Sequence, residues 1–156
     1  MLEITVPGYR ALLLHHLVLD YNGTIACGGQ LIEGVGERLA ALSASLGIHV
    51  LTADTFGSVQ QQLSLINCQL YVIPKEDQAQ AKLRYVEQLG AEGCVCMGNG
   101  RNDRLMLKEV ALGIAILAGE GASIDAILAA DVVSPGVLDA LDLLLNPLRL
   151  AATLRS

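Results

Sequence analysis

The sequence of 156 residues is poor in charge and in aromatic side chains, with no tryptophan, one phenylalanine and only 17% charged residues, where about 25% is ordinary for soluble domains. No uncharged apolar run reaches the ~18 residues of a membrane span, and the longest candidate, residues 111–118, is interrupted by Gly113. The N-terminus has no basic start followed by an apolar block, so we expect no signal peptide. The net charge of −6 argues against nucleic acid and against an anionic membrane surface as partners.

The four cysteines form neither a CxxC pair nor any spacing typical of a zinc site. They are Cys27, Cys68, Cys94 and Cys96. Cys94 and Cys96 alternate with Val95 in a predicted strand, where we expect buried, reduced thiols. The predicted compartment is therefore the cytoplasm.

The hydrophobic residues, 53% of the chain, fall in short runs separated by amphipathic stretches. Glycines 47 and 90 follow two of these stretches as helix C-caps would. The predicted strands are 4–6, 12–19, 48–51, 70–73, 94–97, 114–117 and 132–133, and the predicted helices are 34–46, 58–66, 78–89, 103–110, 122–129, 137–145 and 147–154. This alternation predicts an α/β fold, a three-layer Rossmann-like, doubly wound and mostly parallel sheet. With no linker or repeat, we expect one domain over residues 1–156.

Polar side chains follow several of the predicted strands at the point where each strand ends. They are Asp20, Thr52, Asp54, Lys75 and the loop Gly98–Asp103. In doubly wound sheets, ligands bind beyond the carboxyl ends of the strands, where the strand order reverses. The sequence therefore predicts a ligand site at this edge.

Asp20 is the candidate nucleophile, because a carboxylate at a strand end, beside a permissive glycine, can attack phosphorus and form an acyl phosphate. A turn or capping aspartate is the alternative. Thr52 can donate a hydrogen bond to a phosphoryl oxygen, whereas Asp54 is expected to cap the next helix. Lys82 or Lys75 can neutralise the transferring group, unless both are solvated surface lysines.

The loop Gly98–Asp103 places two glycines around Asn99 and a carboxylate, Asp103, at the start of the next helix. Magnesium binds hard oxygen ligands through one or two carboxylates. Asp20 and Asp103 can supply them. The alternative is that Asn102 and Asp103 are an ordinary N-cap pair.

Taken together, these motifs resemble the haloacid dehalogenase superfamily of phosphotransferases, most closely its P-type-ATPase-like branch, which includes small soluble proteins with only the phosphorylation core. The segments that carry the resemblance are LVLDYNGT (17–24), LTADTFG (51–57), QAQAKLRYVEQLG (78–90), GNGRND (98–103), and GIAI (113–116) with AADVV (129–133). The resemblance covers nearly the whole chain from Leu17 onward.

By resemblance, Asp20 is the nucleophile, Thr52 holds the phosphoryl group, and Lys82 matches the motif lysine better than Lys75. The resemblance implies the catalytic residues Asp20, Asn22, Thr52 and Lys82, the phosphate-binding residues Gly23, Thr24, Thr52, Ala53 and Lys82, and the magnesium ligands Asp20, Asn22 through its carbonyl, Asn99 and Asp103. It also implies the cofactor Mg²⁺ and a phosphorylated small molecule or phosphoprotein as substrate.

The sequence departs from the family pattern at two residues and in size. Asn22 replaces the usual acid/base aspartate, which typically contributes about 10²–10⁴-fold, and Asn99 replaces a usual magnesium-binding aspartate. The gaps 25–51 and 53–81 are too short for a cap domain, so we expect an open site unless a homo-oligomer covers it. Ion transport is excluded, since the chain carries no P-type nucleotide-binding domain and no membrane segment.

Two functions remain open at this point. The leading one is a magnesium-dependent phosphohydrolase or phosphotransferase acting through phospho-Asp20, slow because of Asn22. The alternative is a catalytically degenerate, regulatory protein that binds a phosphorylated ligand or a protein partner. A dinucleotide-binding oxidoreductase lacks its GxGxxG after the first strand, and a receiver domain lacks its acidic cluster. The apolar stretch 137–150 is expected to complete the core rather than form an interface.

Overall fold

The computed structural model describes residues 1–54 and 57–156. The strands are Leu2–Ile4 (β1), Leu12–Leu14 (β2), His16–Asp20 (β3), Ala26–Cys27 (β4), Gln30–Leu31 (β5), Gly47–Thr52 (β6), Gln69–Val72 (β7), Cys94–Gly98 (β8), Leu112–Ile116 (β9) and Val132–Ser134 (β10). The helices are Val35–Leu42 (α1), Ser58–Gln62 (α2), Gln78–Leu89 (α3), Arg104–Glu109 (α4), Ile124–Ala129 (α5), Val137–Leu145 (α6) and Pro147–Leu154 (α7), with 3₁₀ turns at Ala91–Gly93 and Arg101–Asp103.

The central sheet has six parallel strands in the order β10-β9-β8-β3-β6-β7. The chain builds β3, β6 and β7 outward on one side, then crosses over to β8, β9 and β10 on the other. The strand order therefore reverses between β3 and β8, and Asp20 ends β3 at this switch point. The predicted Rossmann-like, doubly wound sheet is confirmed; that residues 1–156 form one domain stays a prediction.

Two apolar clusters cover the two faces of the sheet, because its strands are apolar on both sides. One contains α1, α6 and α7, represented by Leu39, Leu141 and Leu150. The other contains α3 and α4, represented by Val86 and Met106. The prediction that residues 137–150 complete the core is confirmed. Among the described residues, no helix is both long enough and apolar enough to cross a membrane.

Several predicted boundaries are wrong. The strand predicted over 12–19 is broken at His15, whose N–H donates to the Gly93 carbonyl at 2.8 Å; β2 pairs instead antiparallel with β1. The glycine-rich loop after Asp20 contains the hairpin β4–β5. The helix predicted over 58–66 ends at Gln62, and its N-cap position is held by Gly57 rather than Asp54.

The four cysteines are free thiols, and Cys94 and Cys96 are buried, as predicted. Burial, and next the charge of Glu92, raises the pKa of Cys94 to about 11. The pKa of Cys96 is also raised by burial. Both thiols are therefore protonated near neutral pH and act as small apolar side chains.

A buried histidine links the start of the sheet to α3. His49 is 2% exposed, and its ring nitrogens lie 3.1 Å from Nδ1 of His16 and 2.8 Å from the Tyr85 hydroxyl. Burial, and next the charge of His16, lowers the pKa of His49 to about 4. The imidazole is therefore neutral in the folded protein near pH 7.

We expect His49→Gln to make the protein less sensitive to acid. The folded-state pKa lies below the ordinary 6.5, so the stability that neutral His49 contributes is complete above pH 6.5 and is lost as the pH falls toward 4. Between pH 7 and 4.5 the wild type should lose about 1–2 kcal/mol relative to the variant. Urea unfolding of both proteins at the two pH values measures this difference; parallel losses would contradict a neutral His49.

Candidate active site

Three ionisable side chains form a buried row at the carboxyl end of the sheet. The Lys82 ammonium on α3 donates to Asp20 Oδ1 and to Asp103 Oδ1, both at 2.6 Å. Lys82 is 1% exposed and Asp103 is fully buried, whereas Asp20 is 8% exposed. A buried charge must be paired, so Lys82 is held in place by the two carboxylates. Lys75, the competing sequence candidate, is exposed.

The charges of this row depend on one another. Burial, and next the Asp103 carboxylate, raises the pKa of Asp20 to about 7, although Lys82 and Thr24 act in the opposite direction. Burial opposes the charge on Lys82, but Asp103 and Asp20 outweigh it, so the pKa of Lys82 is raised. Lys82 therefore stays a cation, and Asp20 titrates near neutral pH.

The Asp103 side chain lies in the protein interior and does not line the pocket. While its Oδ1 accepts from Lys82, its Oδ2 accepts from the backbone N–H groups of Asn99 and Gly100 at 3.0 and 2.9 Å. A Cβ at residue 98 would overlap the Asp103 carboxylate, so Gly98 makes room for it. Unlike Asp20, which lines the pocket, Asp103 is fully buried. The geometry therefore does not favour the metal-ligand role that the resemblance implied for Asp103, which instead positions Lys82 and the loop.

Thr24 and Gly23 lie beneath Asp20 rather than in the pocket. The Thr24 hydroxyl donates to Asp20 Oδ2 at 3.1 Å and is fully buried. The Gly23 N–H donates to the Ala26 carbonyl at 2.8 Å, so that donor is already used. The phosphate-binding roles implied for Thr24 and Gly23 are thus not favoured by the geometry, because Thr24 orients the carboxylate and Gly23 forms the turn.

Thr52 and Ala53 lie where the resemblance places them, at the end of β6 beside Asp20. The Thr52 hydroxyl oxygen accepts from the backbone N–H of Asp54 at 3.1 Å. A hydroxyl that accepts on its oxygen still carries its own proton. Thr52 can therefore donate that proton to a ligand in the pocket. Thr55 and Phe56, part of the motif LTADTFG, lie outside the described residues.

The two asparagines that depart from the family pattern, Asn22 and Asn99, also line the pocket. Asn22 is exposed at the pocket. Asn99 donates through Nδ2 to the Gly121 carbonyl at 3.0 Å, and its Oδ1 lies 3.4 Å from the Thr24 hydroxyl. A Cβ at Gly23 would overlap the Asn99 side chain, and Gly23 has φ +79°, so glycine is required there for two reasons.

These side chains surround one pocket of about 350 Å³. It is lined by Asp20, Asn22, Thr52, Ala53, Gln78, Lys82, Asn99, Gly100 and Asn102. Size alone does not select it, since a pocket of about 360 Å³ lies at the other end of the sheet beside His15 and His16. The convergence of a carboxylate, a buried ammonium and a hydroxyl that donates to none of the described residues selects it.

Gln78 and Asn102 are site residues that the sequence interpretation missed. Asn102 Nδ2 donates to Gln78 Oε1 at 2.7 Å, joining α3 to the turn before α4 across the pocket wall. Asn102 lies within GNGRND but was considered only as a capping residue, and nothing in the sequence marks Gln78. For Asn102 the signal is its position directly before Asp103, which was already assigned to the site.

The oxygen donors that remain fit a hard divalent cation, and as a set they carry little formal charge. They are the Asp20 carboxylate, the Asn22 backbone carbonyl and the Asn99 side-chain oxygen. Among residues 1–54 and 57–156, no three His, Cys, Asp or Glu side chains are grouped to hold a metal ion. Magnesium can bind through a single carboxylate together with neutral oxygens and water, so the residues present fit it, with one protein charge instead of two.

Solved structures of several bacterial proteins have this fold. A HAD superfamily (subfamily III A) hydrolase from Legionella pneumophila matches with a TM-score of 0.71 at 19% identity, over 90% of this chain and 88% of that one. The cobalt-bound deoxy-D-mannose-octulosonate 8-phosphate phosphatase from Haemophilus influenzae matches with a TM-score of 0.72 at 14% identity, over 92% and 94%. The corresponding phosphatase from Moraxella catarrhalis, in complex with magnesium, phosphate and KDO, gives 0.68 at 16%, over 90% and 93%.

The chain therefore has the fold of the haloacid dehalogenase superfamily, as the motifs predicted. More closely, it belongs to the family of an uncharacterized protein of Methanocaldococcus jannaschii, MJ0073, to which it is 47% identical over 79 residues, 48% of this chain and 85% of that protein. A second uncharacterized protein of the same organism, MJ0072, is 51% identical over 39 residues, 25% of this chain and 89% of its own length. No family model matches the chain.

Proposed function

We propose that the protein is a divalent-metal-dependent phosphohydrolase or phosphotransferase that forms an aspartyl phosphate on Asp20. The observation that carries this proposal is the Asp20 carboxylate at the switch point, 2.6 Å from the buried Lys82 ammonium. The structural neighbours from H. influenzae and M. catarrhalis support it, since they are phosphatases of a sugar-acid 8-phosphate, crystallised with cobalt and with magnesium.

In the first step, a carboxylate oxygen of Asp20 attacks phosphorus as the bond from phosphorus to the ester oxygen breaks. The phosphoryl group moves to Asp20, and the leaving oxygen departs as an alkoxide that takes its proton from solvent water. Lys82 and the Thr52 proton would stabilise the phosphoryl oxygens, since donors already oriented by the protein need no rearrangement as charge develops in the transition state. In the second step, water or another acceptor attacks the same phosphorus, and the Asp20 carboxylate is restored.

Asp20, the Asn22 carbonyl and Asn99 would hold the metal. A bound divalent cation offsets the negative charge of the phosphoryl group and orients it toward Asp20. Mg²⁺ is the proposed ion, since these donors are all oxygens. Incubation with Mg²⁺ and p-nitrophenyl phosphate, comparing the wild type with Asp20→Asn, tests the proposal.

The exposed Asn22 favours a long-lived aspartyl phosphate, because an amide does not transfer protons near neutral pH. We expect Asn22→Asp to accelerate release of phosphate from phospho-Asp20 by about 10²-fold or more. Single-turnover decay of the acid-trapped acyl phosphate measures this rate. Asn67→Asp, on an exposed residue, is the matched control. An unchanged decay would mean that Asn22 does not limit turnover.

Asn99 is expected to weaken metal binding while supporting the metal-free fold. Asn99→Asp loses the donor to the Gly121 carbonyl, so the metal-free variant should be less stable by about 1–3 kcal/mol. An added carboxylate also favours a cation. Excess Mg²⁺ should therefore raise the Tm of the variant well above its value in EDTA, and more than in the wild type. Equal Mg²⁺-induced shifts would place Asn99 outside the metal shell.

The remaining assignments are proposals of the same kind. The substrate is a phosphorylated small molecule or a phosphoprotein, the compartment is the cytoplasm, and a second copy of the chain covers the open site. Kinship with the P-type-ATPase-like branch rests on the motifs alone. The regulatory alternative, a catalytically degenerate protein that binds a phosphorylated ligand or a protein partner, is supported by Asn22 in the pocket. It predicts ligand binding without phosphorylation of Asp20, which acid trapping of the acyl phosphate distinguishes from catalysis.

A further inference from the structure

A second pocket of about 380 Å³ adjoins the candidate active site. It is lined by Asp77, Gln78, Ala79, Arg101, Asn102 and Arg104. Gln78 and Asn102 also line the first pocket, so the two share a wall. A ligand whose phosphoryl group reaches Asp20 can therefore extend its other end past this wall into the second pocket.

The shared wall is fixed by hydrogen bonds. Asn102 Nδ2 donates to Gln78 Oε1 at 2.7 Å, and Gln78 Nε2 donates to the Lys75 carbonyl at 3.1 Å. Both amides are thereby oriented before any ligand arrives. The relative position of the two pockets is set by the protein rather than by the ligand.

The second pocket contains two arginines whose side chains are also held in place. Arg104 Nη1 donates to the Arg101 carbonyl at 2.8 Å, and Arg101 Nε pairs with Asp125 Oδ2 at 2.8 Å. Each bond uses one nitrogen of the guanidinium, which carries five N–H donors in all. Their fixed orientation reduces the entropy lost when they bind a ligand.

The charges of this pocket favour a singly charged group. The ion pair with Asp125 partly neutralises the charge of Arg101. Asp77 adds a negative charge to the lining. Of the charged side chains that line the pocket, Arg101 and Arg104 are cations and Asp77 is an acid, which leaves one net positive charge on the lining and argues against a second dianionic phosphate. A carboxylate matches the planar guanidinium fork and carries one charge.

We propose that Arg101 and Arg104 are specificity-determining residues, selecting phosphate esters whose leaving group carries a carboxylate. This inference rests on the proposed function, since it assigns the leaving-group side of the same site. The carboxylate binds the guanidinium groups of Arg101 and Arg104 while the phosphoryl group faces Asp20 and Lys82.

A matched pair of esters tests the inference. 3-Phosphoglycerate carries a carboxylate where glycerol 3-phosphate carries a hydroxymethyl group. We expect the wild type to show a kcat/KM about tenfold higher for 3-phosphoglycerate, consistent with a charge-assisted hydrogen bond at a partly exposed site. Arg104→Gln and Arg101→Gln should each reduce this ratio several-fold while leaving the kcat/KM for glycerol 3-phosphate unchanged.

Two further variants separate recognition from structure. Arg104→Lys, which keeps the charge, should retain an intermediate ratio, and Arg84→Gln, on the exposed side of α3, should leave the ratio at the wild-type value. Thermal melts establish that each variant is folded. Inhibition by glycerate, weaker in Arg104→Gln than in the wild type, gives the same comparison without turnover.

The outcomes distinguish this inference from the proposed function. If both esters are hydrolysed through Asp20 with equal kcat/KM, or if the arginine variants keep the wild-type ratio, the specificity role is overturned and the proposed function stands. If the wild type neither hydrolyses the esters nor forms an acyl phosphate on Asp20, the proposed function fails, and this inference fails with it.

Discussion

Replacing Asp20 with asparagine is expected to abolish phosphoryl transfer, with kcat/KM falling by roughly 10⁴-fold or more, as for loss of other enzymatic nucleophiles. An amide is a poor nucleophile toward phosphorus. Its steric match to the carboxylate leaves the surrounding contacts largely possible, since Lys82 still pairs with Asp103. Phosphate release from p-nitrophenyl phosphate in the presence of Mg²⁺ measures the effect.

The loss must be chemical rather than a loss of folding. Asp139→Asn makes the same substitution on an exposed residue of α6 and should keep wild-type activity. Beryllium fluoride, which mimics an aspartyl phosphate, should raise the Tm of the wild type but not that of Asp20→Asn. Equal activity of Asp20→Asn and the wild type would remove Asp20 from the reaction, and the proposed function with it.

The sequence predicted the parts of the site that depend on strand order. Asp20 and Thr52 end neighbouring parallel strands, β3 and β6, and side chains at such ends converge whatever the details of packing. Lys82 followed from its place in the motif helix. These positions are fixed by the periodic hydrophobic pattern, which a single sequence displays.

Side-chain direction was not predictable in the same way. Asp103 was expected to face a metal, yet it accepts from two backbone N–H groups of its own loop and from Lys82. That choice depends on the loop backbone and on the space left by Gly98, neither of which follows from residue type. The break of the long strand at His15 has a similar origin, since it follows from a long-range bond to Gly93.

The pairing of Asp103 with Lys82 affects the charge of the site. With Asp103 paired to Lys82, the row Asp20–Lys82–Asp103 carries one net negative charge when all three groups are ionised. Asn22 and Asn99 add none. Among the described residues that line the pocket, Asp20 is therefore the single carboxylate presented to a dianionic phosphate ester. The substrate phosphate is repelled less than in a site where residues 20, 22, 99 and 103 all present carboxylates. Substrate binding should therefore depend less on the metal.

Lys82→Met is expected to have the largest effect on stability. Removing a buried cation leaves Asp20 and Asp103 as two uncompensated carboxylates, at a cost of about 3–5 kcal/mol. Burial and Asp103 already raise the pKa of Asp20, and loss of Lys82 raises it further. An acid whose folded-state pKa is raised destabilises the fold most above that pKa, and the destabilisation shrinks as the pH falls toward the ordinary pKa of 3.8.

The stability loss should therefore be largest near pH 8 and shrink toward pH 5, as urea unfolding at the two pH values can measure. Lys108→Met, at an exposed lysine at the end of α4, should change little at either pH. Adding Asp103→Asn to Lys82→Met removes one of the two buried charges but keeps an oxygen acceptor for the N–H groups of Asn99 and Gly100. The double variant should thus be more stable than Lys82→Met at pH 8, and a Lys82→Met protein as stable as the wild type there would refute the buried ionic row.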